Sequence, residues 1–283
     1  MRAPDADLGF DTLDDFLAAR NTLPPGAVGI LLCESGLYAA ASLQRLASLG
    51  AGSVLILGET GPLPRAACPT FQISDIGRGR ETVAQLNRLI DALDGRWILW
   101  HWNAEFFFFP FCETRRLADL TTFLSDERRP ALYTYALDLY SYELPDGQVP
   151  PEEAGLSFDV SGYHAFPEGN QQLTVYGGLG WRFQEFAPPE MSQIGRASLF
   201  RASKGAHLGR DFRFLDPDYA AVACPWHNSP TGALMSLRRA YRVMAHPDFG
   251  DARSRVTWQG SRPFDWHSGQ LLELGMIEPG QWF

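Results

Sequence analysis

Short, predominantly apolar segments alternate with amphipathic ones between residues 27 and 102, and this alternation constrains the fold more than any other feature of the sequence. "AVGILLCE" (27–34), "SVLILGE" (53–59) and "WILWHW" (97–102) are continuous apolar runs, which are typical of strands buried on both faces of a parallel sheet. "CPTFQIS" (68–74) is a further candidate strand. The first part of the chain is therefore predicted to supply a buried sheet.

Two segments between these strands have apolar residues at helical spacing. They are "GLYAAASLQRLASLG" (36–50) and "GRETVAQLNRLIDALDG" (79–95), and each closes on a glycine, as helix C-caps commonly do. The strand and helix order predicts an α/β, Rossmann-like fold with a mostly parallel sheet flanked by helices. Ligands of such sheets bind beyond the carboxyl ends of the strands, where this sequence has Glu34, Glu59 and Glu105.

The pattern changes after residue 130. "ALYTYALDLYSYELP" predicts a mixed strand, and the Pro- and Gly-rich residues 145–195 predict long ordered loops. "TGALMSLRRAYRVMAH" (231–246) predicts an amphipathic helix, and the C-terminal tail predicts a short helix that ends near Gly275. We therefore expect a mixed-strand and loop-rich C-terminal half.

Length, charge and residue usage exclude several classes of protein. A chain of 283 residues can form one large domain or two fused lobes, and a net charge of -9 argues against nucleic-acid binding. Lys204 is the single lysine, so a Walker-type phosphate loop or a Schiff base would need it, and its surroundings match neither. The sequence has no apolar signal segment and no transmembrane-length run, so a cytoplasmic protein is expected.

The aromatic stretch "WILWHWNAEFFFFPF" (97–111) leads from a predicted strand into a candidate site. We expect "NAE" to be the place where the strand reaches the site and "FFFFPF" to pack beneath the following loop. The alternative is that "FFFFPF" forms a surface for a partner or a lipid.

In sequence order, segments of residues 28–245 resemble the family 2 glycosyltransferases. The segments that carry this resemblance are "GILLCESGLYAAASLQRLASLGAGSVLILGE", "GRETVAQLNRLIDALDGRWILWHWNAEFFFF", "ALDLYSYELP", "SFDVSGYHAF", "VYGGLGWRF", "QIGRASLFRASKG" and "ACPWHNSPTGALMSLRRA". The resemblance implies a single GT-A-like domain over residues 1–283, with a nucleotide-binding half (1–129) and an acceptor-side half (130–283). It also implies transfer of a sugar from a nucleotide-diphospho-sugar donor to an acceptor hydroxyl, such as that of a glycan.

The same resemblance implies roles for individual residues. Asn103 and Glu105 are expected beside the donor diphosphate, and Asp138 is expected to be the acceptor-side base or to bind the acceptor. The remaining positions are expected to contact the substrate, and they are Glu34, Glu59, Arg80 and His227. Structural roles stay open as alternatives, namely a core position for His227, a surface position for Glu34 and Glu59, and backbone capping by Asp138.

The sequence departs from the family at the metal-binding motif. Trp102 and Ala104 stand where the family has two aspartates, and neither side chain can bind Mg²⁺ or Mn²⁺, the cofactors expected of an active enzyme. Glu105 and His227 are the remaining candidate metal ligands. Two hypotheses follow: metal-independent transfer in which arginine or His227 compensates the charge, and a catalytically inactive homologue that acts as a binding or interaction protein.

Overall fold

The computed structural model describes residues 7–74, 77, 79–167, 173–219 and 229–282. In chain order its strands are β1 (Asp7–Phe10), β2 (Val28–Leu32), β3 (Ser53–Leu57), β4 (Thr70–Ile73), β5 (Trp97–Trp102), β6 (Glu105–Phe108), β7 (Ala131–Asp138), β8 (Ser157–Asp159), β9 (His164–Pro167), β10 (Leu173–Tyr176), β11 (Gly195–Arg201), β12 (Gly232–Ser236) and β13 (Ser261–Pro263). Its α-helices are α1 (Leu13–Ala19), α2 (Ala39–Ser48), α3 (Arg80–Ala92), α4 (Leu117–Asp126), α5 (Gly178–Arg182), α6 (Arg238–Met244) and α7 (Ser268–Glu273).

The chain forms two compact units whose segments alternate along the sequence. The first unit consists of Met1–Asn103, Thr114–Leu132 and Ala197–Tyr219, and the second of Ala104–Glu113, Tyr133–Arg196 and Ala220–Phe283. The expected organisation as one domain with halves at 1–129 and 130–283 stays a prediction. None of the helices in the described ranges is long and apolar enough to cross a membrane.

The first unit contains the parallel part of the sheet. β2 lies between β3 and β5 and is parallel to both, β3 is parallel to β4, and β4 is parallel to β1. β11 runs antiparallel to β5, which gives the order β1-β4-β3-β2-β5-β11. Every residue of β2 and β3 is buried, as continuous apolar runs require. The predicted α/β fold with a mostly parallel sheet flanked by helices is confirmed.

The two predicted helices of the first unit are α2 and α3, and both are confirmed. Each places its apolar side chains toward the core and ends shortly before a glycine with positive φ, Gly50 at +89° and Gly95 at +79°. A residue with a Cβ atom adopts that conformation only at a cost, which explains glycine at both helix ends.

The second unit contains a three-strand arrangement in which β12 lies between β7 and β6. β12 is parallel to β7 and antiparallel to β6, and the strand order is β7-β12-β6. Two antiparallel pairs accompany it, β8 with β13 and β9 with β10. The short C-terminal helix α7 ends near Gly275, as the sequence predicted.

The prediction of one helix over residues 231–246 is wrong in its first part. Residues 232–236 form β12, and the helix begins only at Arg238. The sequence "GALMS" is entirely buried because it pairs with a strand on each side. Small and apolar residues such as these fit both the helical period of about 3.6 residues and the strand period of two residues. Pairing with β6 and β7 determines that they form a strand.

The first four phenylalanines of "FFFFPF" are buried, as expected, and their packing beneath the following loop stays a prediction. Phe106, Phe107 and Phe108 belong to β6, a strand that the sequence did not predict, and they and Phe109 are at most 1% exposed. Phe106 packs edge-on against Trp266, and Phe108 packs in the same way against Phe264. These four rings therefore fill the core of the second unit, which excludes them as a surface for a partner or a lipid.

Candidate functional site

Three polar residues lie side by side where the strands of the second unit reach one edge. In the strand register Ser236 of β12 is opposite both Glu105 of β6 and Asp138 of β7. Ser236 and Asp138 are the last residues of their parallel strands. Glu105 is the first residue of an antiparallel strand, so all three residues lie at the same end of the three strands. All three are buried, and this edge is where α/β sheets carry their ligands.

Glu105 forms a buried ion pair with Arg196. The Arg196 Nη2 atom donates to Glu105 Oε2 at 2.5 Å, and the side chains are 14% and 3% exposed. The Ser236 hydroxyl donates to the other carboxylate oxygen at 3.3 Å. Burial lowers the pKa of Arg196, Glu105 acts against that change, and the nearby positive charges of Arg238 and Arg239 add to it. Three guanidinium groups therefore influence one another here.

Asp138 is the second acid at this edge and is 1% exposed. Its Oδ2 atom accepts a hydrogen bond of 2.7 Å from the backbone N–H of Leu179, and its Oδ1 atom lies 3.4 Å from Arg239 Nη1. Burial raises the pKa of Asp138 to about 6, although Arg239 and the Leu179 N–H favour the charged form. A carboxylate with this pKa can accept a proton near neutral pH.

The backbone comes close to Asp138 because Gly178 has no side chain. Gly178 has a φ of +68°, and a Cβ atom at this position would lie 2.3 Å from Asp138 Oδ2. Arg239 is held in turn by backbone carbonyls, since its Nη1 atom donates to Ala136 O and its Nη2 atom to Gln193 O. The position of Asp138 is therefore fixed from both sides.

A third buried acid, Asp159, lies at the end of β8. Its Oδ1 atom accepts hydrogen bonds from the Tyr140 hydroxyl, from Trp258 Nε1 at 2.6 Å and from Arg182 Nη1 at 3.1 Å. The Tyr140 hydroxyl also contacts Ser261 Oγ at 2.7 Å. The negative charge of Asp159 contributes to the raised pKa of Asp138.

The predicted nucleotide contacts of the first unit lie on its surface. Glu34 and Glu59 follow the neighbouring parallel strands β2 and β3 and are exposed, and Arg80 is the exposed first residue of α3. The structure therefore brings the two glutamates to one edge of the first unit. Their role in substrate binding stays a prediction.

Asn103 is buried and links two segments of the first unit. Its Oδ1 atom accepts the backbone N–H of Glu34 at 3.2 Å, and its Nδ2 atom donates to Leu37 O at 2.8 Å and to Ser35 Oγ at 3.3 Å. This side chain joins the end of β5 to the loop after β2. A substrate contact by Asn103 stays a prediction.

The metal assignment rested on Glu105 and His227. His227 lies outside the described residues, and Glu105 contacts Arg196 and Ser236. Within the described ranges, no group of three or more His, Cys, Asp or Glu side chains is arranged to hold a metal ion. The described side chains thus do not supply a ligand set, and the metal role of Glu105 and His227 stays a prediction.

Sequence reasoning named Glu105 and Asp138 but missed Asp159, Tyr140 and Arg182. The available signal was "SFD" before a glycine-containing turn, because an aspartate within a short apolar strand needs a buried partner. That partner, Arg182, is 23 residues away, a separation at which no local periodicity applies.

No protein-family model matches this sequence, and a search of curated proteins found no significant match.

Proposed function

We propose that this chain is a glycosyltransferase-like protein that transfers a sugar from a nucleotide-diphospho-sugar to an acceptor hydroxyl without a metal at the position of the family's aspartate motif. The observation that carries the proposal is the buried Asp138, whose pKa is raised to about 6 at the carboxyl end of a strand and beside an arginine. The proposal also rests on the resemblance of the sequence to family 2 glycosyltransferases. A cytoplasmic location stays part of the same proposal.

The arginines support transfer without a metal ion. A departing nucleoside diphosphate develops negative charge, which must be stabilised by cations or hydrogen-bond donors. Arg196, Arg238 and Arg239 accompany two carboxylates, Glu105 and Asp138, so the cluster has one more cationic than anionic side chain when all are charged. Guanidinium groups bind phosphate oxygens in bidentate geometry.

Asp138 then serves as the base that removes the proton from the acceptor hydroxyl. General bases work best when their pKa is close to the working pH, and burial moves Asp138 in that direction. Arg239 stabilises the carboxylate, and the Leu179 N–H fixes one of its oxygens. Asp138 Oδ1 lies 3.4 Å from Arg239 Nη1, whereas Oδ2 lies 2.7 Å from the Leu179 nitrogen. The longer contact favours Oδ1 as the atom that accepts the proton.

Calorimetry with UDP-glucose and GDP-mannose, each with and without Mn²⁺, tests the binding step. We expect binding that does not require Mn²⁺ and that Arg238→Ala weakens about tenfold or more, the effect of losing one charged phosphate contact. Arg242→Ala is the matched control, since Arg242 lies on the same helix and is exposed. Absence of binding to every nucleotide-sugar contradicts the proposal, and so does an equal loss in both variants.

The chemical step is tested with Asp138→Asn. This variant keeps the shape of the side chain but loses the proton acceptor, so we expect it to bind the nucleotide-sugar normally and to lose at least a hundredfold in nucleotide release on addition of acceptor. Release at the wild-type rate contradicts the role of Asp138.

A second candidate is a non-catalytic nucleotide-sugar binding protein. The observation in its favour is that both acids of the row are in ion pairs with arginine, Glu105 with Arg196 and Asp138 with Arg239. Binding of the nucleotide-sugar by the wild type without any turnover, across a panel of hydroxyl acceptors, supports this candidate over the transferase.

A further inference from the structure

Four aromatic rings form a continuous row in residues 164–181 of the second unit. His164 and Phe166 lie on β9, Tyr176 on β10 and Trp181 on α5. Neighbouring ring centroids are separated by 5.3 Å from His164 to Trp181, 6.1 Å from Trp181 to Tyr176 and 5.7 Å from Tyr176 to Phe166. The β9–β10 register pairs His164 with Tyr176 and Phe166 with Thr174, which puts these side chains on one face of the pair.

This row reaches the protein surface. All four residues of β9 are exposed, and the Phe166 side chain is 48% exposed. Tyr176 and Trp181 are half-buried, so they are anchored in the protein and still accessible. Adjacent aromatic rings at a surface commonly mark a binding site.

The row is continuous with the candidate site around Asp138. Leu179, whose N–H binds Asp138, lies between Tyr176 and Trp181 in the chain. Gly177 packs on Tyr163 so closely that a Cβ atom would lie 2.3 Å from its ring. The segment that contacts the acid thus carries one ring of the row on each side.

The charge around the row indicates what kind of molecule it binds. The segment that carries the row, residues 161–181, contains no lysine or arginine, and the arginine that follows it, Arg182, is paired with the buried Asp159. The segment therefore does not itself supply the basic residues that phosphorylated ligands, nucleic acids and anionic lipids require. A neutral molecule with both an apolar face and hydroxyl groups matches rings that include a phenol and an imidazole. Sugar rings have this character, since their C–H faces are apolar and their edges carry hydroxyls.

We infer that the row formed by His164, Phe166, Tyr176 and Trp181 is the acceptor-binding surface and that the acceptor is a neutral carbohydrate chain. This inference rests on the proposed transferase function and adds the substrate class. The rings pack against the C–H faces of successive sugar units, the Tyr176 hydroxyl and the His164 imidazole bond sugar hydroxyls, and the terminal hydroxyl is directed toward Asp138.

Calorimetric titration of the full chain with cellohexaose, maltohexaose and chitohexaose tests the inference. We expect one of these oligosaccharides to bind and the Phe166→Ala variant to bind it about fivefold to tenfold more weakly, the effect of losing one aromatic contact. Leu215→Ala is the control because Leu215 is an apolar residue of the first unit with 75% exposure, and it is expected to leave the affinity unchanged. Trp181→Ala should act in the same direction, and Phe166→Ala still decides the test if that variant does not fold.

Three results overturn the inference: no binding of any of the three oligosaccharides up to about 10 mM, an affinity that Phe166→Ala does not change, or Phe166-dependent binding to phosphatidylcholine vesicles instead of sugars. Titration with UDP-glucose separates this inference from the proposed function. Nucleotide-sugar binding without oligosaccharide binding rejects the acceptor surface alone, whereas the reverse result keeps the carbohydrate surface and rejects the transferase.

Discussion

In the first unit Glu34 and Glu59 follow β2 and β3 and are exposed, whereas in the second unit Asp138 and Asp159 end their strands inside the protein. A buried carboxylate must be compensated by a cation and by hydrogen bonds, and each buried aspartate contacts an arginine, Arg239 or Arg182. Acidic residues that follow apolar strands look alike in the sequence. The comparison teaches that some of them face solvent whereas others are buried beside an arginine. The second unit is where those surroundings change the acid's protonation.

The largest difference in stability is expected when a buried acid is removed from the second unit and an exposed acid from the first. Asp159→Ala leaves the Tyr140 hydroxyl, Trp258 Nε1 and Arg182 without their shared acceptor. We expect a loss of about 3–5 kcal/mol in the free energy of unfolding, as for other broken buried ion pairs.

The matched change in the first unit is Asp14→Ala, which removes the partner of Arg88 at the surface. This pair is exposed, so the free energy of unfolding should change by no more than about 0.5 kcal/mol. Urea denaturation of both variants measures the difference. A similar effect at the two sites would refute the contrast between the units.

Measuring the free energy of unfolding as a function of pH tests the effect of burial on Asp138. Its pKa is raised from 3.8 to about 6, so between about pH 4 and 6 the folded state binds a proton that the unfolded chain has released. The stabilising contribution is therefore complete below about pH 4 and is lost as the pH rises through about 6. A rise of this size corresponds to about 3 kcal/mol, and Asp138→Asn should abolish this pH dependence.

For Asp91 of the first unit, we expect the pH dependence of stability to have the opposite sign. The Gly205 N–H, and to a lesser extent His207, lower the pKa of this exposed carboxyl, so its stabilising contribution exists above about pH 4 and disappears as the pH falls below it. The contribution should be smaller than about 1 kcal/mol because this carboxyl group faces water. Urea unfolding of Asp138→Asn and Asp91→Asn from about pH 2 to pH 7.5 compares the two slopes, and slopes of equal sign would disprove the assignment.

The smallest expected difference comes from two glycines with positive φ. Gly178→Ala places a methyl group 2.3 Å from Asp138 Oδ2, whereas Gly95→Ala meets no atom within 4 Å. Both changes incur a conformational cost of about 1–2 kcal/mol, and Gly178→Ala adds about 1–3 kcal/mol of overpacking. Denaturation midpoints measure this excess, and equal destabilisation by the two variants would show that the approach of Gly178 to Asp138 has no energetic weight.

The sequence predicted the first unit better than the second because its pattern is local. Continuous apolar runs and helical spacing predicted β2, β3, β5, α2 and α3, and the closing glycines marked the helix ends. In the second unit "GALMS" and "EFFF" formed strands that the sequence did not reveal. Short buried segments fit several structures, and their strand partners lie far away in the chain.

The candidate site was predicted in part. Glu105 and Asp138 were named, and the structure places both beside Ser236 at one sheet edge. Their arginine partners were not predictable, since Arg196 lies 91 positions from Glu105 and Arg239 lies 101 positions from Asp138. No spacing rule connects residues so far apart.

The sequence by itself determined the alternation of buried strands and helices in the first unit and the presence of acids after several strands. Only the tertiary structure decided which acids are buried, which arginines pair with them and that the pKa of Asp138 is raised. The physical reason is that apolar periodicity is set by neighbouring residues, whereas desolvation and charge pairing depend on segments that meet only after the chain has folded.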